Sequence, residues 1–557
     1  MNTIQTTSAN LGLIILYADD IVIIVTGPDL NISMHDIIVE QMNIVTTWVK
    51  KQGLNLSIAK TNIVAFHRSQ QRISLKHIQL GEEILPIKPF APYLGVDLDK
   101  NLSFKKHIDN KITKTKVAAR PLNYLINKNW GLSLEQARYV HNQIIIPNLL
   151  YAAGIWGHTV LNNNTSLQKL QTVQNKITRK ITGGHEHTQS ATLTKLAGVE
   201  PLVFLINKER INNYIHLSIN NNWGSDPNHG SRAILTHSKD IENYLLHLNP
   251  EAGLDLSPTQ EIAFYNNENL QTNGQIEIYT DGSKMENPRG QVTGAGAIII
   301  YEQTKKAIIQ SLAPINTINQ AELQAICMVA ENLLSHEIRN KNITIYTDSK
   351  TTLTRLTRGY SNSKQLTNTI ESLHNLQTHN NIKILKVKAH SNIPGNEAAD
   401  YIAKRATRDS NSTANPFGLT KSQLMNAVKE DCRVKFINHI EKANYSRWTT
   451  TLLYKLIRDF KNLKFTNKPY LRSITLAVSG QNNLNSAISH KDKKESALCK
   501  LCKVKENAEH KLIHCPDLEE LRFKLDYQDI ANNILTPDQT LDLGKLTKLT
   551  ARSNLFI

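Results

Sequence analysis

Ile278-Tyr279-Thr280-Asp281-Gly282-Ser283 is the stretch on which the fold turns, because three later segments complete it. They are Asn319-Gln320-Ala321-Glu322-Leu323, Ile345-Tyr346-Thr347-Asp348-Ser349 and His390-Ser391-Asn392-Ile393-Pro394-Gly395-Asn396-Glu397-Ala398-Ala399-Asp400. Each of the four stretches supplies one acid to the set: Asp281, Glu322, Asp348 and Asp400. Gln275 to Thr280 alternates and is rich in β-formers, so Asp281 is expected at a strand's end. Thr293 to Tyr301 and Ala307 to Leu312 read as the next two strands of a meander. Asn319 to Leu334 carries Leu323, Ile326, Cys327 and Ala330 at helical spacing, which puts Glu322 near a helix start. Ile343 to Thr347 reads as a short buried strand ending at Asp348, and Ile382 to Val387 as another. Pro394 and Gly395 open a helix that carries Asp400. Strands followed by helix–strand alternation predict a mixed sheet with helices on its faces.

Four carboxylates brought together are suited to hard divalent ions such as magnesium or manganese, which take oxygen ligands and keep several waters. In a two-metal site one ion activates the attacking water and the other steadies the leaving oxygen of a phosphodiester. The ions lie roughly 3.5–4 Å apart, so the acids must be packed closely. Packed like charges resist ionisation until a cation arrives. The competing reading makes each acid a helix cap or a solvated turn residue.

The order, local words and spacing resemble a type 1 ribonuclease H domain, the nuclease that removes RNA from an RNA–DNA hybrid. The resemblance implies that His390 lies beside the metals and helps product leave. It implies that Asn319 and Asn396 contact the hybrid. Gly282 and Ser283 follow the first acid, where backbone and hydroxyl can approach the sugar edge of the RNA strand. The 2′-hydroxyl is what separates RNA from DNA at such a site.

A second fragment precedes this one. Leu11 to Leu16, Tyr17-Ala18-Asp19-Asp20 and Ile21 to Val25 read as two apolar strands joined by an acidic turn. Gly53-Leu54-Asn55-Leu56-Ser57-Ile58-Ala59-Lys60-Thr61 and Pro92-Tyr93-Leu94-Gly95-Val96-Asp97-Leu98-Asp99 follow. Together they resemble the second half of a reverse transcriptase palm of non-LTR retroelements. The resemblance implies that Asp19 and Asp20 bind polymerase metals and that Lys60 lies near the incoming nucleotide. The family needs a further aspartate from an earlier strand, and fingers; the leader before Tyr17 contains no acid. The expectation is therefore an element truncated at its front, with Asp19, Asp20 and Lys60 vestigial.

Between the two fragments, Leu102 to Asn127, Leu132 to Trp156 and Leu167 to Thr182 read as helices. The string Leu167-Gln168-Lys169-Leu170-Gln171-Thr172-Val173-Gln174-Asn175-Lys176, ending near Gly183-Gly184, resembles the thumb and connection of these enzymes. Asn220 to Ser231 and Asn249 to Gln260 read as loops. Near the end, Cys499-Lys500-Leu501-Cys502, His510 and Cys515 hold three of the five cysteines in one short window. Thiolates and an imidazole satisfy tetrahedral zinc, with His514 a rival fourth ligand; the alternative is free thiols. Similar sets end many non-LTR reverse transcriptase chains. Cys327 and Cys432 sit in helical patterns and read as core residues.

The chain of 557 residues, with formal net charge +17 and pI near 9.4, suits a polyanionic partner. Lysines at 105–116, 383–388 and 491–494 spread that charge. No apolar run reaches membrane-spanning length, because Asp19 and Asp20 interrupt the longest candidate. No basic region precedes an apolar one at the start, and few cysteines suit a reducing compartment. The expectation is an intracellular protein, nuclear or cytoplasmic, neither secreted nor in a membrane.

The fold class that follows is multidomain α/β. Residues 1–100 are expected as a partial palm, 101–260 as a helical thumb and connection, 272–408 as the ribonuclease H domain. Residues 409–557 are expected as a helical region with a zinc-knuckle-like segment at 499–515. The function that follows is cleavage of the RNA strand of a hybrid. A working RNA-dependent DNA polymerase and a noncatalytic nucleic-acid-binding remnant stay open as alternatives.

Overall fold

A computed structural model describes residues 12–26, 32–66, 78–80, 82–127, 130–219, 241, 243–245, 254–255, 260–287, 290–313, 315–361, 363–388, 392–408, 418–442, 447–458, 468–480, 484–486, 488, 496–527, 529–535 and 542–552. These residues form two compact units. One is Asn207–Lys442, and the other joins Met1–Ile206 to Ala443–Ile557. The first therefore interrupts the second in sequence. These units cut across the four consecutive segments expected from sequence.

The Asn207–Lys442 unit is built on a five-stranded sheet. Strands β1 (Gln275–Asn287), β2 (Gly290–Tyr301) and β3 (Thr304–Leu312) form an antiparallel meander. Helix α1 (Ile318–Ser335) crosses over to β4 (Asn342–Thr347), which pairs parallel with β1. Helices α2 (Lys350–Thr357) and α3 (Lys364–Gln377) lead to β5 (Asn381–Lys386), parallel to β4. Helix α4 (Pro394–Ala406) follows. The strand order is β3-β2-β1-β4-β5.

Burial explains the sequence pattern. On β1, Ile276, Ile278 and Thr280 are buried and face a core that α1 and α3 complete with Leu323, Ile326, Val329, Ile370 and Leu373. On β2, residues 292–299 are buried on both faces, as expected of a strand covered on both sides. Gly296 is required there, because a Cβ would stand 2.4 Å from the Ala403 nitrogen of α4. Helix α1 starts at a capping box in which Thr317 and Gln320 satisfy each other's backbone nitrogens.

Two additions to this unit lie outside the sheet's own strands and helices. Phe264, 1% exposed, fills the core beside α3. Its segment runs along β5, the edge strand: Asn267 N donates to Ile382 O, and Asn266 Oδ1 accepts from Ile384 N at 2.9 Å. Beyond the sheet, helix Lys421–Lys442 packs Leu424 and Val428 against Ile211, Tyr214 and Ile215 of helix Leu202–Ile219.

In the other unit, Gly12–Tyr17 and Asp20–Val25 form an antiparallel hairpin with Tyr17 opposite Asp20. Leu13, Leu16, Tyr17 and Ile24 stay exposed on it. A second hairpin, Phe90–Tyr93 with Val96–Asp99, turns through Leu94 and Gly95, both at positive φ. Asp99 then accepts from the backbone nitrogens of Asn101, Ser103 and Phe104, organising the turn into helix Lys105–Ala118. Helix Lys468–Ser479 caps helix Asn164–Thr182: Lys468, Arg472 and Thr475 donate to the carbonyls of residues 180–183. That satisfies acceptors a helix end leaves open. Among the described residues no single helix is long and apolar enough to cross a membrane; one bent pair, Leu134–Leu149 with Ala153–Leu161, passes on length and composition only.

Candidate active site

Three of the four expected acids meet. One carboxylate oxygen from each of Asp281, Glu322 and Asp348 lies within 4.8 Å of the others. Asp281 and Glu322 are buried, at 8% and 6% exposed. Asp281 is not at the end of its strand, as the alternation suggested, since β1 runs on to Asn287. The parallel pairing with β4 stops at Thr280 opposite Thr347, so Asp281 and Asp348 both lie just beyond it. The strand continues because β2 still pairs with it on the other side.

Local packing fixes this geometry. Tyr279 and Tyr346 stand opposite each other in register and stack, with centroids 4.7 Å apart. Tyr279 precedes Asp281 by two residues on β1, so ring and carboxylate share a face; Tyr346 precedes Asp348 by two, and Asp348 is the first residue past β4. Gly395, at the start of α4, packs on Tyr279; a Cβ there would stand 2.3 Å from the ring. Gly282 lets α1 approach β1, since its Cβ would lie 2.4 Å from the Glu322 nitrogen. Gln423, after the sheet, donates to Gln320 Oε1 at 2.8 Å and to Ile315 O at 3.0 Å, bracing the start of α1.

Burial and crowding show in the acidities. Burial pushes Asp281 up to about 7, with Asp348 and Asp400 adding to it and the Gly282 N–H opposing. Burial pushes Glu322 up to about 9, with Asp281 and Asp348 adding. Glu322 Oε2 is buried and has no hydrogen-bond partner. A carboxylate oxygen without a donor, beside two more acids, fits a hard divalent cation.

Asp400 is near enough for its charge to raise Asp281, but it stands outside the three-acid group. Its Oδ2 accepts from Lys404 Nζ at 2.6 Å. His390 lies outside the described residues. Asn319 is exposed, at the start of α1. Asn396 is 4% exposed, with a buried Oδ1 that has no partner. Gly282 and Ser283 are buried rather than open at the surface. Lys404, Gln423 and the tyrosine pair escaped the sequence reading. The Asp400–Lys404 spacing of four on one helix was the available signal.

Of the palm motif, Asp19 and Asp20 are exposed in the hairpin, and Lys60 is exposed in a short 3-10 turn. Among the described residues no third acid, histidine or cysteine joins Asp19 and Asp20 in a metal-sized group.

The tail cysteines do converge. Cys499, Cys502, His510 and Cys515 offer ligand atoms within 4.8 Å of one another. Cys515 Sγ lies 3.9 Å from both Cys499 Sγ and Cys502 Sγ. Tetrahedral bonds of about 2.3 Å to zinc would separate sulfurs by roughly 3.8 Å. His510 Nε2 is buried with no partner, while His514 is exposed. The donor set therefore fits zinc and selects His510.

Residues 273–408 match the RNase H family, so the chain carries a ribonuclease H domain there. A "Probable RNA-directed DNA polymerase from transposon X-element" of Drosophila melanogaster is 30% identical over 146 residues, covering 26% of this chain and 16% of that protein. A "Ribonuclease H" of Schizosaccharomyces pombe is 29% identical over 145 residues, covering 24% of this chain and 53% of that protein. A solved RNase H1 from the archaeon Halobacterium salinarum is 23% identical, covers 24% of this chain and 99% of its own, and gives a TM-score of 0.20. The matches to transposon polymerases, including that of the jockey element of Drosophila funebris, span 16% to 20% of those proteins.

Proposed function

We propose that this chain is an endoribonuclease that hydrolyses the RNA strand of RNA–DNA hybrids, carried within a non-LTR retroelement polymerase. One observation carries the reading: Asp281, Glu322 and Asp348 converge to within 4.8 Å in a domain that matches the RNase H family. Magnesium or manganese bound there would supply an activated water and charge stabilisation at the phosphate.

The chain's own residues do the rest. Asp281, Glu322 and Asp348 hold the cation set, and Asp400 completes it. The stacked Tyr279 and Tyr346 keep two of these acids level, and Gly282 lets the third approach. Asn319 faces solvent where a substrate backbone can reach it. The resemblance implies products with a 5′-phosphate and a 3′-hydroxyl, and a role for His390 in product departure. The excess of positive charge favours a polyanionic substrate. Zinc at Cys499, Cys502, His510 and Cys515 would act as a structural clamp on the tail.

The polymerase reading rests on Asp19, Asp20 and Lys60, and no observation favours it over the nuclease. The test is cleavage of a strand-labelled hybrid with magnesium, beside primer extension on an RNA template. The reading expects hybrid cleavage and no extension. Extension that disappears with Asp19→Ala, without hybrid cleavage, would replace it with the polymerase.

A further inference from the structure

Lys404 follows Asp400 by one helical turn on α4 and donates to its Oδ2 at 2.6 Å. Its positive charge is also felt by Asp281, where it opposes the upward push of burial and of the neighbouring acids. Asp281, Glu322 and Asp348 form one cation-sized group without Asp400. The fourth acid is thus electrostatically part of the site, yet one of its oxygens is engaged by a cation of the chain itself.

We infer that Lys404 is a positioning residue that sets how tightly the site takes its second divalent ion, by competing with that ion for Asp400. This rests on the metal-site reading proposed above. One ion can be served by the three converging acids. A second ion needs further carboxylate oxygen, and Asp400 is the acid of the set left to give it. To give Oδ2 as well as Oδ1, Asp400 must part from Lys404. The pair is built to part: the Lys404 side chain is 50% exposed and that of Asp400 23% exposed. Exposed ion pairs are weak, because water competes for both partners. A positive charge held beside the acids also repels an incoming cation. Lys404 therefore opposes the first ion through its charge alone, and the second both through that charge and by holding Asp400 Oδ2, so it raises the concentration needed for the second more than for the first.

A plain structural alternative exists. An acid four residues before a lysine stabilises a helix modestly. That role would alter the stability of α4 and leave the stoichiometry and order of metal binding unchanged.

The probe is manganese titrated calorimetrically into the full, zinc-loaded chain, with Asp281→Asn protein as the background. Wild type should show two Asp281-dependent binding steps. Lys404→Gln should tighten the weaker step about threefold to fivefold, the size an exposed ion pair allows, and leave the tighter step within twofold. Lys404→Arg keeps the charge and should stay near wild type. In an Asp400→Asn background, Lys404→Gln should add little, since the partner is gone. A weaker step that Lys404→Gln leaves unchanged or loosens would overturn the inference while the nuclease reading stood. The same holds for an equal effect in the Asp400→Asn background. Wild type with no Asp281-dependent binding would instead overturn the metal site and the inference together.

Discussion

The α-carbon of Gly282 lies so close to the backbone nitrogen of Glu322 that a Cβ would stand 2.4 Å from it. A backbone nitrogen inside a capped helix cannot swing aside as a side chain can. Gly282→Ala should push α1 off β1, destabilise the unit by roughly 1–3 kcal/mol and slow hybrid cleavage by about 100-fold through misplacement of Glu322. Urea unfolding and initial cleavage rates check both. Wild-type cleavage by this variant would contradict the packing.

Phe264 binds a segment that shields the edge strand β5, where Leu270 and Asn381 exchange hydrogen bonds of 2.9 and 2.7 Å. Phe264→Ala should cost about 3–5 kcal/mol, as deletion of a buried ring does, and should open the strand edge. Hydrogen exchange at the β5 amides should accelerate. Unchanged protection there would show that the segment contributes nothing.

Much of this was legible in the sequence, and the reasons differ by residue. The sheet could be read because Ile276, Ile278, Ile343 and Ile345 alternate on short strands, and α1 because its apolar residues recur at helical spacing. Glu322 and Asp348 could be placed because each sits at a fixed offset from such an element, whereas Asp281, expected at a strand's end, lies within a strand that runs on to Asn287. Residues 260–270 have no period: they lie on β5 through asparagine side chains, which sequence reads as loop. Gly282 looked like a residue open to substrate; its real neighbour, Glu322, is forty residues away. Helices α2 and α3 were missed as elements, although Ser349 caps the former through Thr352 N.

The tail should bind one zinc per chain. His510→Ala should lose it and His514→Ala should keep it, because His510 Nε2 is the buried nitrogen without a partner. Chelation should unfold the tail around 499–515, since the metal's binding energy is folding energy, and leave magnesium-dependent cleavage intact. Elemental analysis of the two variants decides; zinc retained by His510→Ala would contradict the ligand set.

Asp281 at about 7 and Glu322 at about 9 stand above their ordinary values of 3.8 and 4.5. The metal-free fold thus holds protons that the unfolded chain has released, and it loses stability as pH rises from about 4 to about 9. A divalent ion acts oppositely, because it binds the ionised acids and stabilises the fold by mass action. The gain in melting temperature on adding magnesium should therefore grow from about pH 6 to about pH 9. A gain that stays flat or shrinks with pH would contradict the burial of these acids as the cause.

The central claim is that Asp281 anchors a cation that cuts RNA in a hybrid. The direct measurement is magnesium-dependent cleavage of a strand-labelled RNA–DNA hybrid by wild type and by Asp281→Asn, with duplex DNA alongside. The account predicts that wild type cuts only the RNA strand, that duplex DNA survives for want of the 2′-hydroxyl, and that Asp281→Asn abolishes cutting. Wild-type cleavage by Asp281→Asn, or equal cutting of duplex DNA, would contradict it.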